Sequence, residues 1–301
     1  MRISRGARIA LIIISLAAAS SWIANGVSRH RDARLYAGPP DGVVRFVEVD
    51  HGVSVEVVDF GGSGRAIILL PGLNGTAHHF AGFAARLSHD YHVYGITPRG
   101  WCAGCTPCRG YSVRRLGDDV VAVIEALRIR RPVLVGQSIA GATLSSVANR
   151  HPDEIAGVIY LDAGEFYALY DEKDGSPAMA LMQIAKWLTA PLPAELLPRV
   201  VSMSAGLEKF TTIPVPALAV FAEPHSDLRR QYKNDPEGLR KAEEKDAARV
   251  ERQVAAFERQ VPTCRVIRIP HGAHDIIESN RDEVLRVIRE FVAILPLPAD
   301  K

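Results

Sequence analysis

"VLVGQSIAG", residues 133–141, sets three apolar residues before Gly136, then Gln137, Ser138 and Ile139, then two small residues, Ala140 and Gly141. It departs from Gly-x-Ser-x-Gly at one position, where Ala140 stands for the second glycine. The apolar run reads as the end of a buried strand, and "AGATLSSVANR" behind it reads as a helix. A serine on such a sharp strand-to-helix turn stands where a nucleophile is presented. The turn is tight enough that the residues two before and two after the serine must be small. Gly136 and Ala140 meet that demand, and Gly141 lets the helix lie close to neighbouring strands. The helix N-terminus brings its positive dipole end and free N–H groups to the hydroxyl. An ordinary N-cap serine would look the same locally, so the rest of the chain must decide.

Working outward, "VVRFVEV" and "VSVEVVDF" alternate around Asp50-His51-Gly52 and read as a hairpin. The short apolar runs "AIILL", "HVYGIT", "PVLVG", "GVIYLD", "PALAVFA" and "CRVIRI" suit strands covered on both faces. Helical patterns separate most of them; in "VRRLGDDVVAVIEALRI" Leu116, Val120, Val121, Ile124 and Leu127 share one face. Strands alternating with helices predict an α/β fold, a doubly wound, mostly parallel sheet entered through the hairpin. Between "GVIYLD" and "PALAVFA" the interval is longer than a crossover needs, which predicts an inserted helical lid over residues 163–213. Residues 43–162 and 214–297 then form the core. Within the lid, Phe166, Tyr167, Tyr170, Met179, Met182 and Trp187 suggest an apolar pocket, although such residues at helical spacing equally build core.

The 301 residues are 48% hydrophobic and 23% charged, which suits a globular core. A net charge of +2, with Arg and Lys scattered, gives no reason to expect a nucleic-acid partner. The start differs. "MRISRGAR" is basic, Ile9 to Ala24 is apolar apart from serines, and Ala17, Ala18, Ala19 and Ser20 are small. This is the layout of a secretory signal, and it predicts export with residues 1–25 cleaved or kept as a membrane anchor. Residues 26–42 read as a linker.

"LLPGLNGTAHHF", residues 69–80, follows the first central run, and "VIRIPHGAHDIIE" follows the last. Together with the serine turn, in this order and spacing, they make residues 43–295 resemble the serine-triad branch of the α/β-hydrolase family, esterase- or lipase-like. The resemblance implies an oxyanion site formed by the backbone N–H groups of Leu73 and Ile139. Pro71 stands where the family often has histidine, which matters little because neither donor is a side chain. His274, after Ala273 and before the final helix, matches the family's catalytic histidine, and His271 matches less well. The acid is expected in the loop after the strand that follows the lid, where Asp227 has the reach. Glu223, at the strand end, and Asp162, ending "VIYLD" in a position that some members use, are the alternatives.

Cys102, Cys105 and Cys108 lie at intervals of three, with Cys264 far away. Lacking a nearby fourth ligand, and in an exported chain, they are read as one local disulfide rather than a metal site.

The resemblance thus implies hydrolysis of an uncharged ester or related acyl compound through an acyl-enzyme, acting on a small apolar substrate with no metal or organic cofactor. Serine at residue 138 disfavours the aspartyl-ester chemistry of dehalogenases and epoxide hydrolases. Two alternatives stay open: carbon–carbon hydrolysis or cofactor-free perhydrolysis on the same groups, and a catalytically silent member that binds a ligand.

Overall fold

The computed structural model describes residues 42–73, 75–101, 110–164 and 210–296. The expected signal segment, the lid aromatics and Cys102, Cys105 and Cys108 lie outside the described residues. The chain divides into two compact units. One comprises Pro40–Arg109, Val113–Ser176 and Glu208–Lys301, and everything described below belongs to it. The other, Met1–Pro39, Gly110–Ser112 and Pro177–Leu207, is almost wholly outside the described residues.

Eight strands form one sheet: β1 (Val43–Asp50), β2 (Val53–Gly61), β3 (Ala66–Leu70), β4 (His92–Thr97), β5 (Val133–Gln137), β6 (Gly157–Leu161), β7 (Ala217–Glu223) and β8 (Arg265–Pro270). Their spatial order is β1-β2-β4-β3-β5-β6-β7-β8. β1 and β2 pair antiparallel, as the alternating pattern predicts, and β2 meets β4 antiparallel. All later pairings are parallel. The hairpin turns at His51-Gly52, where Gly52 takes a φ of +70° that suits glycine.

Helices α1 (Ala81–Leu87), α2 (Val113–Ala126), α3 (Ala140–Arg150), α4 (Asp227–Gln231), α5 (Pro236–Gln260), α6 (Ile276–Ser279) and α7 (Arg281–Ala293), with short 3-10 turns at Ala77–Phe80 and Pro152–Glu154, complete the described elements. They cover both faces of the sheet, so the central strands must be apolar on both sides. Ile67, Leu69, Val133, Val135, Ile159 and Leu161 face a core shared with α1 and α7. Ile68, Leu70, Leu134, Val158 and Tyr160 face the other, shared with α2, α3 and α5. β5 and β6 are accordingly buried along their whole lengths. β8 is different. It is the last strand, and Arg265 and Arg268 stand exposed on it, so the expectation of two covered faces for "CRVIRI" fails at the sheet edge. No helix among the described residues is long and apolar enough to cross a membrane.

Two polar clusters brace the connections near the strand ends. Buried Glu56 of β2 accepts a bond from Thr97 Oγ1 at 2.7 Å and lies 2.8 Å from His78 Nε2. Thr97 Oγ1 in turn accepts the Ala77 N–H at 3.0 Å, which anchors the connection behind β3. Beyond β4, Arg99 Nε donates to Asp119 Oδ2 of α2 at 2.6 Å and its Nη2 to Oδ1 at 2.5 Å, with both side chains buried.

Candidate active site

The carboxyl ends of parallel strands are where open α/β sheets gather their ligands. Here four neighbouring strands each send one polar residue there: Ser138 after β5, Asp162 after β6, His225 after β7 and His274 after β8.

Ser138 and Asp162 leave their strands in the same way. The Ser138 N–H still bonds the Leu161 carbonyl (3.0 Å) and the Asp162 N–H the Val220 carbonyl (2.7 Å). Each residue then swings to a positive φ, 52° and 48°, in the left-handed region that L-residues other than glycine enter at some strain. The swing lifts both side chains off the strand axis. Smallness around the serine is a steric fact. A Cβ on Gly136 would lie 2.9 Å from Leu144 and 3.2 Å from the Ala140 Cβ, and one on Gly141 would lie 2.3 Å from the Ala163 carbonyl. Alanine therefore fits at residue 140, where the room allows one methyl group.

Ser138 Oγ lies 2.8 Å from His274 Nε2, and His274 Nδ1 lies 2.5 Å from Asp162 Oδ2. Asp162 Oδ1 accepts the Ala222 N–H at 3.4 Å. The carboxylate on His274 is thus Asp162, not Asp227. Asp227 is exposed, because it opens α4 and is carried away by that turn. Glu223 stays at the end of β7, where its Oε2 takes a 3.3 Å bond from Arg268. His271, with a φ of 57°, lies against Arg229, its Nδ1 3.2 Å from the guanidinium.

Gly72 borders the serine: a Cβ there would lie 3.3 Å from Ser138 Cβ and 3.2 Å from Gln137 Oε1. Leu73 follows it in a turn, and Ile139 caps α3. His79, on the same connection as Leu73, pairs with Asp275 at 3.1 Å. The Asp275 carboxylate raises its value, against a smaller opposing effect of burial.

Sequence reasoning missed His225. Its side chain is 6% exposed and lies between two carboxylates, with Nε2 2.7 Å from Asp162 Oδ2 and Nδ1 2.8 Å from Asp246 Oδ2. Arg249 donates to Asp246 Oδ1 at 2.8 Å and lies 3.1 Å from His225 Nδ1. Burial alone would push the His225 imidazole down, but the bonds and charges of Asp162 and Asp246 together raise it to about 9. Burial would likewise push Asp162 up, and the two histidines outweigh it and hold the carboxylate at about 2. The donor atoms of Asp162, His225 and His274 all lie within 4.8 Å of one another. Two histidines sharing one carboxylate oxygen account for that closeness. Cys264, the described cysteine, has a free thiol that burial pushes up to about 12, which disfavours the thiolate.

Known proteins resemble this chain in sequence and in fold. Over 125 residues the chain is 31% identical to the fluoroacetate dehalogenase of a Burkholderia species, a match spanning 40% of this chain and 41% of that one. The chain therefore spans about two fifths of that relative's length. Among solved structures, E-2-(acetamidomethylene)succinate hydrolase superimposes with a TM-score of 0.61 at 17% identity, over 84% of this chain and 99% of that one. The bromoperoxidase of Bacillus anthracis superimposes at 0.63 and 14% identity, over 83% and 100%. Both likenesses are of fold. Residues 67–287 match the model of the alpha/beta hydrolase family, and the chain belongs to that family.

Proposed function

We propose that the protein is a serine hydrolase that cleaves an uncharged ester or related acyl compound through an acyl-enzyme. The observation that carries this reading is the continuous chain Ser138 Oγ–His274 Nε2 and His274 Nδ1–Asp162 Oδ2, at 2.8 and 2.5 Å. With its Nδ1 proton on Asp162, His274 keeps the Nε2 lone pair for the serine hydroxyl. Ser138 Oγ attacks the carbonyl as its proton passes to His274, and the imidazolium then protonates the leaving alcohol. Asp162 holds the tautomer and stabilises the charged ring. The Leu73 and Ile139 N–H groups receive the oxyanion, and loss of one such donor typically costs on the order of 10²–10³ in rate. A water molecule, deprotonated by the same histidine, releases the acid. The dehalogenase likeness does not redirect this chemistry, since a serine stands at residue 138.

A fluorophosphonate probe should label the protein at Ser138. Ser138→Ala should abolish labelling and cut ester turnover by about 10⁶-fold, because nucleophile and base act as a unit. A folded variant that keeps more than a few per cent of turnover rules the reading out. We also propose, from the basic start and the apolar run Ile9 to Ala24, that the chain is exported; fractionation of cells making the full chain tests it.

A further inference from the structure

We propose that His225 is a positioning residue for the Ser138–His274 pair: a second imidazolium, fixed on the acid, that aims Asp162 and shares its negative charge. The inference rests on the serine-hydrolase reading.

Each nitrogen of an imidazole needs a partner suited to its protonation state. His274 faces a carboxylate on one side and a hydroxyl on the other, so a ring with one proton satisfies both. His225 faces a carboxylate on both sides, at 2.7 and 2.8 Å. A ring with one proton would set a lone pair against a carboxylate oxygen. Arg249 Nη2 also lies 3.1 Å from Nδ1, but it donates to Asp246 Oδ1 at 2.8 Å, and the Asp246 Oδ2 contact at 2.8 Å is the shorter one. The doubly protonated ring is therefore the one that bonds both carboxylates. The two histidines on one oxygen are thereby given different charges by their second neighbours.

Sharing has a consequence for the chemistry. Asp162 Oδ2 accepts from His225 and from His274, so the charge available to His274 is divided. The two rings also lie edge to face, with centroids 5.7 Å apart. A proton added to His274 meets the charge already on His225, which opposes it. The other charged groups facing the pair among the described residues are Asp246 and Arg249, on α5 behind His225, and the His79–Asp275 pair beside His274. These form opposite-charge pairs of their own when His79 is protonated. The backbone adds a brace: the Ser226 N–H bonds the Gly272 carbonyl at 2.8 Å, locking the loop of His225 to that of His274.

The experiment measures fluorophosphonate inactivation of the full chain against pH. In His225→Gln the amide can still donate to Asp162 but carries no charge. The acidic limb should move up by about one pH unit, with a plateau rate within about tenfold of wild type. His225→Leu should move the limb similarly and lower the plateau further. A purely structural role would lower the plateau and leave the limb in place, and that result for His225→Gln overturns the proposal. Should the variants not fold, side-chain ¹⁵N resonances of the wild-type histidines decide: His225 must keep both protons through pH 8, and a neutral ring at pH 7 overturns it. A wild-type chain unreactive at every pH would instead defeat the serine-hydrolase reading, a result recognisable as such.

Discussion

Among the described residues, two ionic clusters with buried carboxylates differ in what holds their charge. Arg99 and Asp119 meet through two parallel bonds beyond β4, and a guanidinium stays protonated at any ordinary pH. Asp162, His225, Asp246 and Arg249 form a longer row whose charges balance only while His225 keeps its proton. The first cluster is fixed. The second can be discharged, and its Asp162 bonds His274, the partner of Ser138. Permanent charge therefore stands apart from the Ser138–His274 pair, and on the proposed reading titratable charge stands where protons would move.

The largest test of this contrast replaces the acid. Asp162→Asn should cost about 10⁴ in turnover, as expected when the imidazole is held in the wrong tautomer. Asparagine tolerates the positive φ at this position, so the fold should survive, as circular dichroism would show. If Asp227→Asn cost as much, the acid would have to be sought on α4 after all.

The second test breaks the fixed pair. Asp119→Ala removes the carboxylate that two bonds tie to a buried guanidinium and should lower unfolding stability by about 3–5 kcal/mol in denaturant titration. Turnover per folded molecule should change far less than in Asp162→Asn. Equal losses of turnover would erase the distinction between the clusters.

The third uses pH. His225 is raised from 6.5 to about 9, so its stabilisation is complete below about pH 6.5 and is lost as pH rises through 9. Asp162 is lowered from 3.8 to about 2, so its share is present above about pH 4 and is lost as pH falls through 2. Stability should therefore fall by on the order of 3 kcal/mol between pH 6.5 and 10, and His225→Gln should remove most of that slope. An equal slope in the variant would move its origin to other groups.

The smallest effect belongs to Asp227→Asn. An exposed carboxylate in the first turn of α4 should be worth under about 0.5 kcal/mol, with turnover unchanged within about twofold.

Much of this organisation was legible in the residues. The runs of β3 to β7 announce themselves because a strand covered on both faces has no room for polar residues, and the serine turn because crowding by Leu144 and Ala163 demands glycine or alanine. β8 was harder, since a run of similar look acquires an open side only from its place in the sheet. α5 gave little signal: its buried apolar residues, Val250, Val254, Ala256 and Phe257, lie toward its far end. Asp162, the alternative to Asp227, bonds His274 for a geometric reason. Asp162 and Asp227 follow adjacent strands, and nothing in a linear sequence says which side chain turns toward His274. His225 was invisible because its two carboxylates lie 63 and 21 residues away, and a lone histidine in a polar loop looks solvated. Only the strand-end "LD" followed at once by Ala163 and Gly164 hinted that Asp162 sits on a tight turn.

The placement of one polar residue on each of four consecutive strand ends gives the site a spatial grammar. Adjacent strands run about 4.8 Å apart, close to the reach of one side chain, so neighbouring ends act as interchangeable seats. The seat after β6 holds the carboxylate that bonds His274, and the seat after β7 holds a histidine that also touches it. A scaffold of this kind can pass a chemical role sideways by one strand without redrawing its backbone, leaving the vacated seat free for a residue that adjusts the others.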